Sequence, residues 1–117
     1  MKINLLGSGY MGKQICSLFV TLGYDVTMWQ NSEENLDNLI KNGIRKLEKI
    51  YNITSSGDYK IEMDLNKFDK NFTIETLTED LNIKKNIISQ LKYDENIFSN
   101  TSSLSATELG ININIMH

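Results

Sequence analysis

The chain predicts an α/β fold built on a doubly wound, mainly parallel sheet, and three observations predict it. Short apolar runs alternate along the chain with segments whose apolar residues recur at helical spacing. The first thirty residues read as strand, tight glycine turn, helix and strand in that order. Proline is absent altogether, so the breaks between elements fall on Gly, Asn, Asp and Ser.

The elements follow in order. Ile3-Asn4-Leu5-Leu6 reads as a short buried strand, and Gly7-Ser8-Gly9-Tyr10-Met11-Gly12 as the turn after it. Lys13 to Leu22 is predicted helical, with Ile15, Leu18, Phe19 and Leu22 on one face; Gly23 is placed to cap its C-terminus. Val26 to Trp29 is a second strand. Ser32 is read as the N-cap of a long helix reaching Tyr51, with Leu36, Leu39, Ile40, Ile44, Leu47 and Ile50 close to a 3.6-residue period. Gly43 interrupts that helix at modest cost. Asn52 to Tyr59 is a loop by composition, and Lys60 to Asp64 alternates as a strand does. Leu65 to Lys70 is a connector or helical turn, Phe72 to Leu77 a buried strand, and Asp80 to Leu91 a helix presenting Ile83, Ile87, Ile88 and Leu91. Asn96 to Phe98 is a strand running into Ser99-Asn100-Thr101-Ser102-Ser103; Leu104 to Leu109 is a short helix and Ile111 to Met116 a last strand.

The 117 residues suit one domain, 1–117, with a real core. The chain is 40% hydrophobic and 23% charged, with a net charge of -3 and Arg45 as its one arginine. That balance offers no basic patch, so nucleic acid is not expected as a partner. No apolar run is long enough to span a bilayer, and no signal-peptide pattern precedes the first strand, so a cytoplasmic protein without a membrane association is expected. The one cysteine, Cys16, is expected to be a small buried thiol, in keeping with a reducing compartment. No metal-binding cluster is read.

The glycine turn carries the strongest functional signal. In a strand–turn–helix unit the first glycine permits the turn, the second lets backbone N–H groups approach phosphate, and the third lets helix and strand pack closely. The helix start then aims free N–H groups and partial positive charge at an anion. A bare glycine pattern of this kind is weak, and a ligand-free turn is the bland alternative; the flanking strand and amphipathic helix favour a pyrophosphate cradle of the Rossmann type.

Three further clusters fall where an open parallel sheet binds ligands, at the C-terminal ends of its strands. Glu75-Thr76-Leu77-Thr78-Glu79-Asp80 closes a strand, and Lys84 follows on the next helix. A carboxylate and an ammonium there can touch a cofactor, or simply form a solvated helix start, and spacing does not separate the two. Ser99 to Ser103 can hydrogen-bond a ligand oxygen, although spacing alone favours an N-cap cluster. His117, the only histidine, is either a frayed end or an acid–base group at a strand terminus.

Taken together, Gly7 to Gly12, Gly23-Tyr24-Asp25-Val26, Ile74-Glu75-Thr76-Leu77-Thr78-Glu79-Asp80 with Lys84, Ser99-Asn100-Thr101-Ser102-Ser103-Leu104 and Met116-His117 resemble the N-terminal NAD-binding domain of the 3-hydroxyacyl-CoA dehydrogenases, which include the 3-hydroxybutyryl-CoA enzymes. The glycine motif with Met11 also occurs in 6-phosphogluconate and hydroxyisobutyrate dehydrogenases; the Glu-x-x-x-Glu and Ser-Asn-Thr-Ser-Ser runs decide the choice. The resemblance implies a cofactor site of Gly7, Gly9, Tyr10, Met11, Gly12, Gln30, Glu79, Lys84 and Asn100, with Glu79 and Lys84 on the nicotinamide side. It implies catalytic roles for His117 as base toward the 3-hydroxyl, Ser102 near the substrate's 3-oxygen, and Asn100 in the same pocket. The reaction it implies, a step of fatty acid metabolism, interconverts 3-hydroxyacyl-CoA and 3-oxoacyl-CoA by hydride transfer.

Four departures qualify that expectation. Gln30 stands where the family carries an acid for the adenine ribose, which predicts weakened binding; no arginine lies nearby, so NAD is favoured over NADP. The stretch from Tyr51 to Ile61 is short for the family's two-helix excursion, of which only the arm Ser32 to Tyr51 is complete. Glu108 to Met116 is short before His117. The family's helical C-terminal domain, with the glutamate that orients the base, is absent from the 117 residues. Cofactor binding with little or no turnover is therefore expected, with acyl-CoA substrates only if a C-terminal domain completes the site. A non-catalytic dinucleotide-binding module, either a redox sensor or one subunit of a split enzyme, is the alternative. Self-association through apolar surface bared by the missing domain is also expected.

Overall fold

The computed structural model describes residues 1–30, 35–77, 80–93, 97–99 and 113–115. Its elements are β1 (Lys2–Leu6), α1 (Tyr10–Thr21), β2 (Asp25–Trp29), α2 (Asp37–Tyr51), β3 (Asp58–Glu62), a 3-10 turn (Leu65–Lys67), β4 (Phe72–Glu75), α3 (Leu81–Ser89), β5 (Ile97–Ser99) and β6 (Ile113–Ile115). The six strands lie in the order β3-β2-β1-β4-β5-β6, and every neighbouring pair is parallel. This is the doubly wound order, in which the chain winds outward from β1 in one direction and then, from β4, in the other.

Period-two alternation sends strand side chains to two cores. Ile3, Leu5, Val26, Met28 and Ile74 pack under α1 and α2 with Cys16, Val20, Ile40 and Ile44. Leu6, Trp29 and Ile97 pack on the other face with Phe68 and with Ile87 and Ile88 of α3. Past the exposed Lys2, β1 is therefore apolar on both faces save Asn4, whose amide donates to the Asp69 carbonyl at 2.7 Å and to the Tyr93 hydroxyl at 2.8 Å. A buried polar side chain of this kind costs little only when so satisfied.

Several boundaries differ from the sequence expectation, each for a local reason. α1 starts at Tyr10 rather than Lys13, because the last glycine of the turn is already helical. It ends in a Schellman motif: Gly23, at φ +99°, donates to the Val20 carbonyl at 3.1 Å and Tyr24 to the Phe19 carbonyl at 2.9 Å, while the Phe19 and Tyr24 rings meet edge to face at 5.3 Å. α2 starts at Asp37 with Leu36 at its N-cap position, and Asn35 Oδ1 accepts from the Asp37 amide at 3.0 Å; Ser32, the expected cap, lies outside the described residues. β3 runs two residues earlier than expected, because pairing with β2 begins at Asp25 opposite Asp58 and ends at Trp29 opposite Glu62. Asp64 instead caps the 3-10 turn through the Asn66 amide at 2.9 Å. β4 stops at Glu75 and α3 at Ser89, and β5 reaches Ser99 rather than ending at Phe98. The expected helix at Leu104 to Leu109 lies outside the described residues.

Candidate functional site

The site begins where β1 ends. Gly7 takes φ +116°, a conformation open to glycine, and its amide donates to the Trp29 carbonyl at 3.1 Å. A Cβ on Gly7 would stand 2.8 Å from Thr76 Oγ1, and one on Gly12 would run into the Gly7 carbonyl oxygen. Those two glycines therefore let the turn, α1 and the end of β4 close on one another. Gly9 is different: nothing lies within 4 Å of where its Cβ would be. The turn is packed tightly below and clear above.

The clear side is where α1 starts. Gly9 is the N-cap, offers no side chain, and no acidic residue occupies the first turn. The amides of Gly9, Tyr10, Met11 and Gly12 consequently have no intrahelical acceptor and no internal counter-charge. Tyr10 is 77% exposed and Met11 45%, so the mouth is open. A cradle of free amides at a helix start, over a glycine without neighbours, fits a pyrophosphate. It lies between the C-terminal ends of β1 and β4, the point where the strand order reverses and open α/β sheets bind ligands.

Thr76 forms the floor, and sequence reading assigned it nothing. Its amide and hydroxyl both donate to the Leu6 carbonyl, at 2.9 and 3.1 Å. Its hydroxyl oxygen is the atom beneath Gly7. The signal was its place immediately after a strand facing the glycine turn, which only the β1–β4 pairing makes visible.

Two of the residues expected at the cofactor are buried in the ligand-free fold. Lys84 does not present an ammonium at the cleft. It is fully buried, as is Glu75, and its Nζ lies 3.2 Å from Glu75 Oε2. It is not a solvated helix residue either: one carboxylate at the end of β4 draws the ammonium inward, because a buried charge requires a partner. Gln30 stands at the end of β2 as expected, its amide donating to the Glu62 carbonyl at 3.2 Å, but its side chain is only 1% exposed and displays no amide to solvent. Glu79, Asn100, Ser102 and His117 lie outside the described residues. Asp80 accepts from the Asn82 and Ile83 amides and so serves as the N-cap of α3.

Elsewhere, a polar cleft bounded by Lys2, Asp25 and Asp58 lies at the opposite edge of the sheet, at the N-terminal ends of its strands. Cys16 is buried, and desolvation pushes its thiol up to about 12, so it is an inert core group. No helix among the described residues is long and apolar enough to cross a membrane.

Fold and turn together define the doubly wound dinucleotide-binding class. Residues 2–115 match the family model of the 3-hydroxyacyl-CoA dehydrogenase NAD-binding domain, and the chain belongs to that family. It is 33% identical over 128 residues to a 3-hydroxybutyryl-CoA dehydrogenase of Clostridioides difficile, an alignment covering 93% of this chain and 44% of that protein. It is 30% identical over 122 residues to a probable 3-hydroxybutyryl-CoA dehydrogenase of Deinococcus radiodurans, again covering 93% of this chain and 44% of the relative. Among solved structures, the (S)-3-hydroxybutyryl-CoA dehydrogenase PaaH1 of Ralstonia eutropha superposes with a TM-score of 0.65 at 26% identity, over 92% of this chain and 43% of that one. The chain thus spans less than half the length of these relatives.

Proposed function

We propose that the chain binds NAD and forms the cofactor half of an oxidoreductase that interconverts 3-hydroxyacyl-CoA and 3-oxoacyl-CoA. The observation that carries this reading is the turn Gly7 to Gly12, closed below by Thr76 and clear above Gly9, with the helix-start amides of α1 lacking a side-chain cap. The nicotinamide ring, when bound, supplies the hydride acceptor or donor. The chain's own part is to grip: the amides of Gly9 to Gly12 hold the paired phosphates, and the backbone at the end of β2, rather than the buried Gln30 side chain, borders the adenine ribose. NAD is preferred to NADP because residues 30–36, Gln-Asn-Ser-Glu-Glu-Asn-Leu, bring no cation for a 2′-phosphate and two carboxylates against it.

The family resemblance supports roles for the residues outside the description. Glu79 lies on the nicotinamide side, Ser102 hydrogen-bonds near the substrate's 3-oxygen, Asn100 helps shape the same pocket, and His117 takes the 3-hydroxyl proton as hydride leaves and returns it in the reverse direction. The acyl-CoA substrate requires the part of the relatives that these 117 residues do not span. A cytoplasmic setting suits the free, buried thiol of Cys16.

A titration of the 117-residue chain with NADH, followed by nicotinamide fluorescence, tests the reading. Saturable binding, with NADPH weaker, is expected. No binding at saturating nucleotide overturns it, and tighter NADPH binding overturns the cofactor preference.

A further inference from the structure

Between α1 and α2 lies an open groove of about 650 Å³. We infer that this groove docks an amphipathic helix of a partner protein, one whose apolar stripe is flanked by carboxylates. The contacts are side chains of the two helices, so the inference does not rest on the dinucleotide reading.

Gly43 makes the groove. Without a side chain there, α2 comes so close to α1 that a Cβ would stand 2.5 Å from Ser17 Oγ, and the floor is low. Leu18 lines the α1 side; Leu39, Leu47 and Tyr51 line the α2 side. Leu39 to Tyr51 spans about 18 Å at about 1.5 Å per residue, the length of about three helical turns. Leu39 is 52% exposed and Tyr51 60%, large apolar groups left in water beside a concave surface. Two packed helices with apolar walls and a low floor suit a third helix, whose residues at i, i+4 and i+7 drop between the walls.

Charge selects the occupant. The lining carries two ammonium groups, Lys13 and Lys46, and no carboxylate. Lys41, Arg45 and Lys49 add cations on α2, in a chain whose net charge is -3. α1 holds no acidic residue, and both carboxylates of α2 are engaged elsewhere: Asp37 accepts from the Tyr59 hydroxyl at 3.0 Å and Glu48 from the Ser55 amide at 2.8 Å. A second copy of the chain docked through the same face would set these cations against their counterparts, which disfavours a symmetric dimer here. An anionic membrane answers the cations but is flat, and leaves the floor at Ser17 and Gly43 unfilled. A helix with carboxylates along both edges of an apolar stripe fills the groove and answers the charge.

The test uses three labelled peptides of about eighteen residues, titrated into the 117-residue chain and followed by fluorescence anisotropy. One carries Leu at i, i+4, i+7 and i+11 with Glu on the flanks. The second has Lys in place of Glu, and the third is a scramble of the first. Saturable binding of the Glu peptide is expected, with the other two at least about tenfold weaker. Lys13→Glu/Lys46→Glu is expected to reverse the preference between the Glu and Lys peptides, and Leu39→Ser to weaken the Glu peptide by about fivefold or more, both melting near the native chain. No binding of the Glu peptide overturns the inference, as does equal binding of the scramble or an unchanged preference in the charge-reversed chain. Binding to phosphatidylserine vesicles without binding to the peptide overturns it in favour of a membrane surface. A dimer abolished by Leu39→Ser overturns it in favour of a second copy. Should the charge-reversed chain not fold, salt decides on the native chain: the Glu peptide is expected to weaken as ionic strength rises and the Lys peptide not to, and a salt-independent Glu peptide overturns the inference.

Discussion

Gly9 and Gly12 are three residues apart and meet opposite surroundings, so alanine at each should fail in a different way. At Gly12 the new Cβ meets the Gly7 carbonyl, a backbone atom that cannot rotate aside. Gly12→Ala should cost about 1–3 kcal/mol of stability, read from denaturant unfolding. At Gly9 the Cβ enters open space, and φ -69° suits an L-residue. Gly9→Ala should cost under about 1 kcal/mol of stability. It should nevertheless weaken NADH by about tenfold or more, equivalent to about 1.4 kcal/mol, because the methyl occupies the space above the amides. Loss of stability without loss of binding at Gly9 would remove the site from this turn. Cys16 offers a pH test at the same scale. Its thiol is raised from 9.0 to about 12 by burial, so between those values the unfolded chain releases a proton that the folded chain keeps. Stability should be unaffected by this group below pH 9 and fall as pH rises through the window. Cys16→Ala should lessen that alkaline slope, the remainder belonging to Tyr59 and Tyr93, whose hydroxyls burial also raises. A thiol reagent at pH 8 should leave the folded chain untouched.

The crossing of α1 and α2 illustrates the element scale. Gly43 reads as a weak point in α2, since glycine in a helix interior costs about 1 kcal/mol against alanine. The structure shows its use: a Cβ there would stand 2.5 Å from Ser17 Oγ, and that hydroxyl donates to the Ile40 carbonyl at 3.2 Å across the helix pair. Gly43→Ala should therefore destabilise, by about 1–3 kcal/mol, where propensity alone predicts a gain. Adding Ser17→Ala should recover part of the loss, a coupling readable in a double-mutant cycle. Element order and type were legible from periodicity. Element ends were less so, because they depend on partners distant in sequence. β3 is set by its register on β2, and α2 starts at Asp37 because Asn35, six positions past the expected end of β2, turns the chain.

For the whole molecule, the sheet order puts the glycine turn, Thr76 and the end of β2 along one edge. Exposed Phe72, stacked on Phe98 at 4.5 Å, leaves apolar surface on the sheet face of Ile3 and Ile74. Self-association is the expected consequence, and sedimentation should show mass rising with concentration; a single monomeric species at high concentration would count against it.

The glycine turn at the start of α1 and the alternation of strands and helices were determined by the sequence by itself. Glycine's backbone freedom and the period of apolar residues act over a few neighbouring positions, and those can be read in a line. The tertiary structure alone decided that Lys84 turns inward to Glu75, that Gln30 is closed off from solvent, and that Thr76 supports the turn. Each depends on a contact between elements whose register is set by packing, and a charged or polar side chain at such a contact takes its role from the partner it meets.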